Sequence, residues 1–172
     1  GALGLQCLRH FADETSITYI HVLCRNPSKF SDTDKRACDS IIIGDARNTQ
    51  DVETALAQSK ADYVVLATGN GADLRKTDTR EKTGIALAQA MSKPAFKHVK
   101  AVIISSHGAA ETKIKVGVGI GMIIAYHLRH VLSDHTHQEQ AFAKLMSRTL
   151  IVRPTALTHD KAGKKIVEFD GL

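Results

Sequence analysis

Five short runs of apolar, mostly β-branched residues alternate with helix-like segments along this chain of 172 residues. Most of the runs are continuously apolar, which is typical of parallel strands covered by helices on both faces. They lie at residues 17–24, 40–43, 63–67, 101–105 and 150–153, and the helix-like segments between them lie at 5–11, 49–58, 80–91 and 133–146. This alternation predicts a single α/β domain over residues 1–172, with a doubly wound parallel sheet.

The residues that follow each run change at once from apolar to small, polar or basic. The strand ends read CRNPSK, GDARN, ATGNG, SSHG and RPTAL. In doubly wound sheets, ligands bind beyond the carboxyl ends of the strands. The candidate site residues are therefore those directly after the strands.

The first residues, G-A-L-G, precede a run that is compatible with a helix. Glycine has no Cβ, and the N–H groups at the start of a helix attract anions. Gly1, Gly4 and Leu5 are therefore predicted to form a turn that holds the phosphates of a cofactor.

Two basic residues, Arg25 and Lys29, follow the next predicted strand. An acid in this place binds the 2′-hydroxyl of NAD, whereas an arginine favours the 2′-phosphate of NADP. The pair predicts NADP(H) in preference to NAD(H). Taken alone, Arg25 is equally compatible with a solvated arginine at a strand end.

Small residues follow the strands at 40–43 and 63–67. Asp45 could accept a hydrogen bond from the adenine amino group, or it could cap the following helix. The cofactor backbone would pass along the small residues, although a simple turn would also contain glycine. The predicted cofactor-binding residues of these two turns are Gly44, Asp45, Ala46, Ala67, Thr68 and Gly69.

Ser105 and Ser106 end the next strand, where a hydroxyl could bind a carbonyl substrate or the nicotinamide amide. Paired serines in a loop are also common as plain polar residues. Pro154 and Thr155, after the last strand, would lie near the same nicotinamide ring.

The net charge of +5 and the pI near 9.2 raise the question of nucleic acid as a partner. The basic residues are scattered, and aromatic residues make up only 5%, too few for base stacking. A small anionic ligand explains the charge equally well. The longest apolar run, at 116–125, is too short and too rich in glycine to span a membrane.

The three cysteines, Cys7, Cys24 and Cys38, contain no C-x-x-C pair. They predict a reducing, cytoplasmic setting without a disulfide framework or a zinc site. Four histidines lie within residues 127–137, but no carboxylate or cysteine completes a set at ligand spacing, so no metal site is predicted. The glycines at 117, 119 and 121 imitate a dinucleotide fingerprint, yet Met122 interrupts it, and a lining of the substrate pocket is the better interpretation.

Seven strings in order resemble atypical short-chain dehydrogenase/reductases: G-A-L-G, C-R-N-P-S-K, I-I-G-D-A-R, V-V-L-A-T-G, V-I-I-S-S, D-H-T-H-Q-E and I-V-R-P-T-A-L-T. The similarity is greatest to the NmrA-like and flavin (biliverdin) reductase-B-like NAD(P)-binding proteins and covers almost the whole chain. It implies a Rossmann fold that binds NAD(P)(H), usually NADPH.

The chain departs from the classical members of that family at the Tyr-x-x-x-Lys helix. Tyr126 is followed by His130 at the place of the lysine, and the helix that matches in register reads D-H-T-H-Q-E. His135 could donate a proton near neutral pH, or it could be a helix histidine that faces solvent. Members with a similar D-H-x-x-Q-E pattern deliver hydride directly, with little help from the protein.

Two functions are consistent with these residues. The first is an NADPH-dependent reductase of a small carbonyl, quinone or flavin-like acceptor, with Ser105, Ser106 and His135 as catalytic candidates. The second is a regulator that binds NADP(H), senses its redox state and passes the signal to a protein partner. The missing Tyr/Lys pair favours the regulator, and the serines and His135 favour the enzyme.

The phosphate turn also raises an expectation about the sheet. A turn of this kind normally follows a strand, and the family continues into a further helix and edge strand beyond the last residues here. We therefore expect a domain that is incomplete at both ends. The strands at 17–24 and 63–67 should then lie about 10 Å apart, two strand spacings, without pairing.

Overall fold

The computed structural model describes residues 1–71, 73–112 and 120–155. Its helices are α1 (Ala2–Ala12), α2 (Asp32–Arg36), α3 (Thr49–Ser59), α4 (Thr79–Ser92) and α5 (Ile120–Gln140). Its strands are β1 (His21–Cys24), β2 (Ser40–Ile43), β3 (Tyr63–Leu66), β4 (Lys100–Ile104) and β5 (Thr149–Val152). Short 3-10 turns occupy Pro27–Lys29, Pro94–Phe96 and Ala143–Arg148. None of the helices in these ranges is long and apolar enough to cross a membrane.

The strands form two parallel sheets, one of β1 and β2 and one in the order β3-β4-β5. Every observed pairing is parallel, beginning with His21 opposite Ser40 in the first sheet and Tyr63 opposite Lys100 in the second. The predicted α/β architecture with parallel strands and flanking helices is confirmed. No ladder joins β1 to β3 within the described residues, as expected for these two strands.

Three predicted elements differ from the observed ones. The first helix begins at Ala2 and not at residue 5, so Gly4 and Leu5 lie within its first turns and only Gly1 precedes it. The first strand begins at His21 and not at residue 17, because its partner strand begins only at Ser40. The last helix begins at Ile120 and ends at Gln140, whereas the sequence predicts 133–146. The start is missed because the polar residues of Y-H-L-R-H at 126–130 interrupt the apolar pattern that indicates a helix. The end differs because the chain forms a 3-10 turn at Ala143–Arg148.

The hydrophobic core lies between the second sheet and the helices that cover it. Met91 of α4, Ile103 of β4 and Phe142 beyond α5 are fully buried at its centre. Val52 and Leu56 extend the core into α3, and Leu23 of β1 packs against it. The first sheet is therefore joined to the second through side chains of α3 and β1.

Helices α4 and α5 meet along a seam that is polar at one end. The side chain of Asp78, the N-cap residue of α4, accepts no backbone N–H of the helix. The carboxylate of Asp134 in α5 takes that place, accepting the backbone N–H of Arg80 at 3.1 Å and of Glu81 at 2.9 Å. It also pairs with the guanidinium of Arg80 at 3.3 Å, and both residues are buried. Asp134 thus caps a neighbouring helix and neutralises a buried charge.

We expect Asp134→Ala to lower the free energy of unfolding by about 3–5 kcal/mol, because it leaves the charge of Arg80 buried and unpaired. Asp78→Ala is the matched control, since it removes an exposed aspartate at the same helix end that pairs only with Lys82. Its loss should cost less than about 1 kcal/mol. Urea unfolding of both variants measures the difference, and equal losses would contradict the capping role of Asp134.

Candidate functional site

Helix α1 begins at the carboxyl end of β3. A Cβ built on Gly1 or Gly4 would lie 3.9 Å from the carbonyl oxygen of Ala67, the residue after β3. The first turn of α1 has no side-chain cap and contains no acidic residue. The N–H groups of an uncapped first turn suit an anion such as a phosphate. Leu5 lies one turn further on, with its own N–H donated to the carbonyl of Gly1 at 3.1 Å.

An ion pair between a half-exposed arginine and a buried aspartate joins α1 to α2. Arg9 of α1 donates from Nε to Oδ1 of Asp34 at 2.7 Å and from Nη2 to Oδ2 at 3.2 Å. Asp34 also completes a capping box with Ser31. The hydrogen bonds from Arg9 and, to a smaller extent, from Ser31 hold the pKa of the Asp34 carboxyl well below its usual range.

The ends of β1 and β2 form a basic corner. Arg25 and Lys29 are both exposed there. Arg47, which the sequence analysis did not select, donates to Asp45 from Nε at 3.0 Å and from Nη2 at 2.6 Å. The hydrogen bonds from Arg47 lower the pKa of Asp45 to about 2, and the nearby charge of Arg25 acts in the same direction. Arg47 and Arg25 thus act on the carboxylate of Asp45, and Lys29 lies on the 3-10 turn that follows β1.

The suggestion that Asp45 caps the following helix is wrong. Asn48 is the N-cap of α3, and its Oδ1 accepts the N–H of Gln50 at 2.8 Å. The carboxylate of Asp45 is bound by Arg47, whose backbone N–H also donates to it at 3.0 Å. An adenine amino group would have to share this carboxylate with Arg47.

Gly44 and Ala46 flank Asp45 in a tight, half-buried turn. A Cβ on Gly44 would lie 3.0 Å from Cδ1 of Leu23 and 3.1 Å from Cβ of Asp51. Asp51 in turn accepts the N–H of Asp45 at 2.8 Å. Glycine is needed here for close packing of β1 against the start of α3.

The turn after β3, at residues 67–69, contacts helix α4 at Thr83 and Arg80. The hydroxyls of Thr68 and Thr83 lie 2.8 Å apart and share a hydrogen bond. A Cβ on Gly69 would lie only 2.9 Å from Nη2 of Arg80. Gly69 therefore leaves room for the buried guanidinium of Arg80, a packing role beside the predicted one.

The structure brings the two predicted nicotinamide segments together. The N–H of Ser105 donates to the carbonyl of Val152 at 2.8 Å, and that of His107 donates to the carbonyl of Pro154 at 2.9 Å. The pairing of β4 and β5 thus continues beyond both strand ends. Ser106 lies between these bonds, half-buried, and Thr155 is exposed at the same edge.

Ser105 is held by a buried acid–base network. Its side chain is almost fully buried, and its hydroxyl donates to Oε1 of Glu139 in α5. Arg153 binds the same carboxylate from Nε at 2.9 Å and from Nη2 at 2.7 Å, and it also pairs with Glu111 at 2.9 Å. The hydrogen bonds to Glu139, ahead of the opposing effect of burial, raise the pKa of Arg153. The hydroxyl proton of Ser105 is therefore committed to Glu139.

His135 is only 7% exposed, so the interpretation as a histidine facing solvent is wrong. Burial lowers the pKa of His135 to about 4, and the positive charge of Arg80 acts in the same direction. The imidazole is therefore neutral near pH 7. The expectation that His135 donates a proton near neutral pH is wrong, because its pKa lies well below that range. Its Nδ1 and both amide atoms of the buried Gln138 have no hydrogen-bond partner among the described residues.

Sequence reasoning missed the residues that hold these groups in place. Glu139 and Arg153 lie in two of the strings that resemble the family, and Arg80 begins a predicted helix. From the sequence alone, a charged residue at such a position cannot be told from one that is exposed to solvent. Of the glycine segment at 117–121, residues 117–119 lie outside the described residues, and Ile120 and Gly121 are described through their backbone in α5. In the described ranges, no group of three or more histidines, cysteines, aspartates or glutamates could hold a metal ion.

Comparison with protein families shows that a model described as "NAD(P)H-binding" matches residues 1–171. Comparison with curated proteins gives no match. Among solved structures, the chain is similar to dTDP-glucose 4,6-dehydratase from Bacillus anthracis, crystallised in complex with NAD. The TM-score is 0.59 at 11% sequence identity, over 86% of this chain and 50% of the dehydratase. The chain thus spans about half the length of that protein, and the likeness concerns the fold.

The buried imidazole of His135 makes the stability of the chain depend on pH. Its folded pKa of about 4 lies below the unfolded value of about 6.5, so the unfolded chain binds the proton first as the pH falls. The neutral imidazole contributes its full share to the free energy of unfolding above pH 6.5, and this share is lost as the pH falls towards 4. The total loss is about 3 kcal/mol. We expect His135→Gln to flatten this dependence in urea unfolding between pH 7.5 and 4.5.

Replacement of an exposed histidine serves as the control for that measurement. His98→Gln should leave the pH dependence of the parent chain unchanged, because His98 is exposed. An unchanged slope in His135→Gln would show that His135 does not carry it.

Proposed function

The chain belongs to the NAD(P)H-binding family, and we propose that it is an NADPH-dependent reductase of a small carbonyl, quinone or flavin-like acceptor. The D-H-T-H-Q-E string of α5 supports a place in the NmrA-like or flavin (biliverdin) reductase-B-like branch of atypical short-chain dehydrogenase/reductases. The three half-buried free cysteines support a reducing, cytoplasmic setting.

The observation that carries the proposal is the uncapped start of α1 at the carboxyl end of β3. Gly4 brings the helix close to Ala67 without a side chain between them. The first turn carries no acid that would repel a phosphate. Gly1 and Gly4 would hold the pyrophosphate of the cofactor through their backbone, beside Leu5, whose own N–H is already bound to the carbonyl of Gly1. Ala67, Thr68 and Gly69 would line its other side.

The basic corner supports NADP(H) as the preferred form. Arg25 and Lys29 are exposed beside a carboxylate that Arg47 already neutralises. A 2′-phosphate would meet cations there and no unpaired acid. NAD(H) lacks that phosphate and would gain less from the corner, so the cations favour NADP(H) over NAD(H).

The nicotinamide end would lie at the joined ends of β4 and β5. When bound, the nicotinamide ring supplies the hydride. Ser106 is the accessible hydroxyl of the two serines and would orient the acceptor or the amide of the ring, beside Pro154 and Thr155. Ser105, held by Glu139, would keep the wall of the site in place. His135, neutral at pH 7, would not act as a charged acid. This suits acceptors such as quinones and flavins, whose reduced forms can take protons from water.

The same observations favour a second candidate, a regulator that binds NADP(H) and a protein partner. Two of the three catalytic candidates, Ser105 and His135, are buried, and the hydroxyl of Ser105 is bound by Glu139. A chain that only senses the cofactor needs neither of them to be accessible. The two functions share the cofactor site and differ in turnover.

Turnover separates the two functions. We expect the chain to oxidise NADPH steadily with at least one member of a panel of quinones, flavins and aldehydes, followed by absorbance of the reduced nicotinamide. Calorimetry of NADPH and NADP⁺ binding accompanies the assay. Binding without turnover across the panel would support the regulator, and no binding would contradict both functions.

Arg25→Ala should weaken the binding of NADPH by about 1.5–3 kcal/mol, the usual loss for a charged hydrogen bond. The binding of NADH should change little, because NADH has no 2′-phosphate. Arg36→Ala removes the same charge from an exposed position on α2 and is the control. Calorimetric titration of each variant with both nucleotides measures the effect. Equal weakening of NADPH and NADH would exclude Arg25 as the reader of the phosphate.

A further inference from the structure

A groove of about 430 Å³ lies between the loop after β3 and the first half of α5. The groove is shallow and open to solvent, so a ligand bound there would keep part of its surface exposed. Neither the sequence motifs nor the proposed cofactor site uses its residues, which are Asp73, Leu74, Arg75, Tyr126, His127, Arg129 and His130.

The charges that line the groove leave one cation without an acidic partner. Arg75 is bound to Asp73 by hydrogen bonds from Nε at 3.0 Å and from Nη2 at 2.7 Å, so this pair is neutral as a whole. Arg129 pairs with no carboxylate among the described residues, and its only hydrogen bond there runs from Nη1 to the carbonyl of Tyr126 at 2.7 Å. Among the described lining residues, Arg129 is therefore the arginine that is left without a carboxylate partner.

The guanidinium of Arg129 is held in one plane. Its central carbon lies 3.7 Å from the ring centroid of Tyr126, one helical turn earlier, in a cation–π contact. A guanidinium held in this way presents its remaining N–H groups in a fixed fork, which suits a carboxylate. Tyr126 and Leu74, 62% and 46% exposed, add apolar surface beside it.

The topology puts this groove beyond the carboxyl ends of the strands. Its loop follows β3, and α5 follows β4, so both parts lie beyond carboxyl ends of strands. Further along α5, Asp134 is fixed to the start of α4, and the groove residues of α5 lie one to two turns before it, away from the core. Ligands of such sheets bind beyond this edge.

We propose that the groove binds the carboxylate of the acceptor, so that the substrate is a small organic acid with a flat apolar body. The proposal rests on the proposed reductase function for its biological meaning. Arg129 pairs with the carboxylate, while Leu74 and Tyr126 contact the apolar part. The class of acceptor is thereby narrowed from carbonyls and quinones in general to those that carry one negative charge.

Two probes that differ in charge test the proposal on the full chain in the presence of NADPH. They are 4-carboxybenzaldehyde and its neutral relative 4-(hydroxymethyl)benzaldehyde, with binding followed by NMR titration. We expect the carboxylate to bind about ten-fold more tightly, a difference typical of one partly exposed charged hydrogen bond. Arg129→Gln should remove the preference, and Arg129→Lys should restore only part of it. Arg36→Gln, a distant exposed arginine, should leave it unchanged.

Direct binding and turnover give separate answers. Equal binding of the two probes, a preference that survives Arg129→Gln, or no binding of either probe overturns the groove proposal. NADPH oxidation with the same probes is measured in parallel. Binding with the expected preference but without turnover supports the groove and contradicts the reductase. Turnover without the preference supports the reductase and overturns the groove proposal.

Discussion

The carboxylate of Asp134 is the group on which the arrangement of the site depends. It binds two N–H groups at the start of α4 and the guanidinium of Arg80, and thereby fixes α5 against α4. His135, Gln138 and Glu139 follow it on α5, so their positions beside the second sheet are set by the same contact. The cost of burying Asp134 and Arg80 is offset only while both remain paired.

A second charged pair, Glu139 with Arg153, joins α5 to the end of β5 and includes Ser105 at the end of β4. The two ion pairs together hold the inner side of α5 against α4 and the ends of β4 and β5. Ser105 and His135 are buried among these contacts, whereas Ser106 is half-buried at the strand ends and Arg129 is exposed further along the helix.

The sequence predicted the parallel α/β architecture because each strand is a nearly continuous apolar run, and such runs have few other uses. It also predicted that Ser105 and Pro154 lie at one edge, since the carboxyl ends of parallel strands meet there. It could not predict the roles of Ser105 and His135, because burial and partners come from tertiary contacts between residues far apart in the chain. Glu139 and Arg153, for example, are indistinguishable from surface charges until β5 is placed beside β4.

The division of the strands into two ladders affects how the chain opens locally. Backbone hydrogen bonds join β1 to β2 and β3 to β4 and β5, and among the described strands none runs from one ladder to the other. Side-chain packing of Leu23 and α3 links the two ladders, as does α1, which lies against Ala67 after β3 and pairs with Asp34 of α2. Amide protons of β1 and β3 should therefore exchange with solvent at independent rates. A dinucleotide that contacts Arg25 beside one ladder and Ser106 beside the other would stabilise both together, and the exchange rates of the two ladders would become more similar.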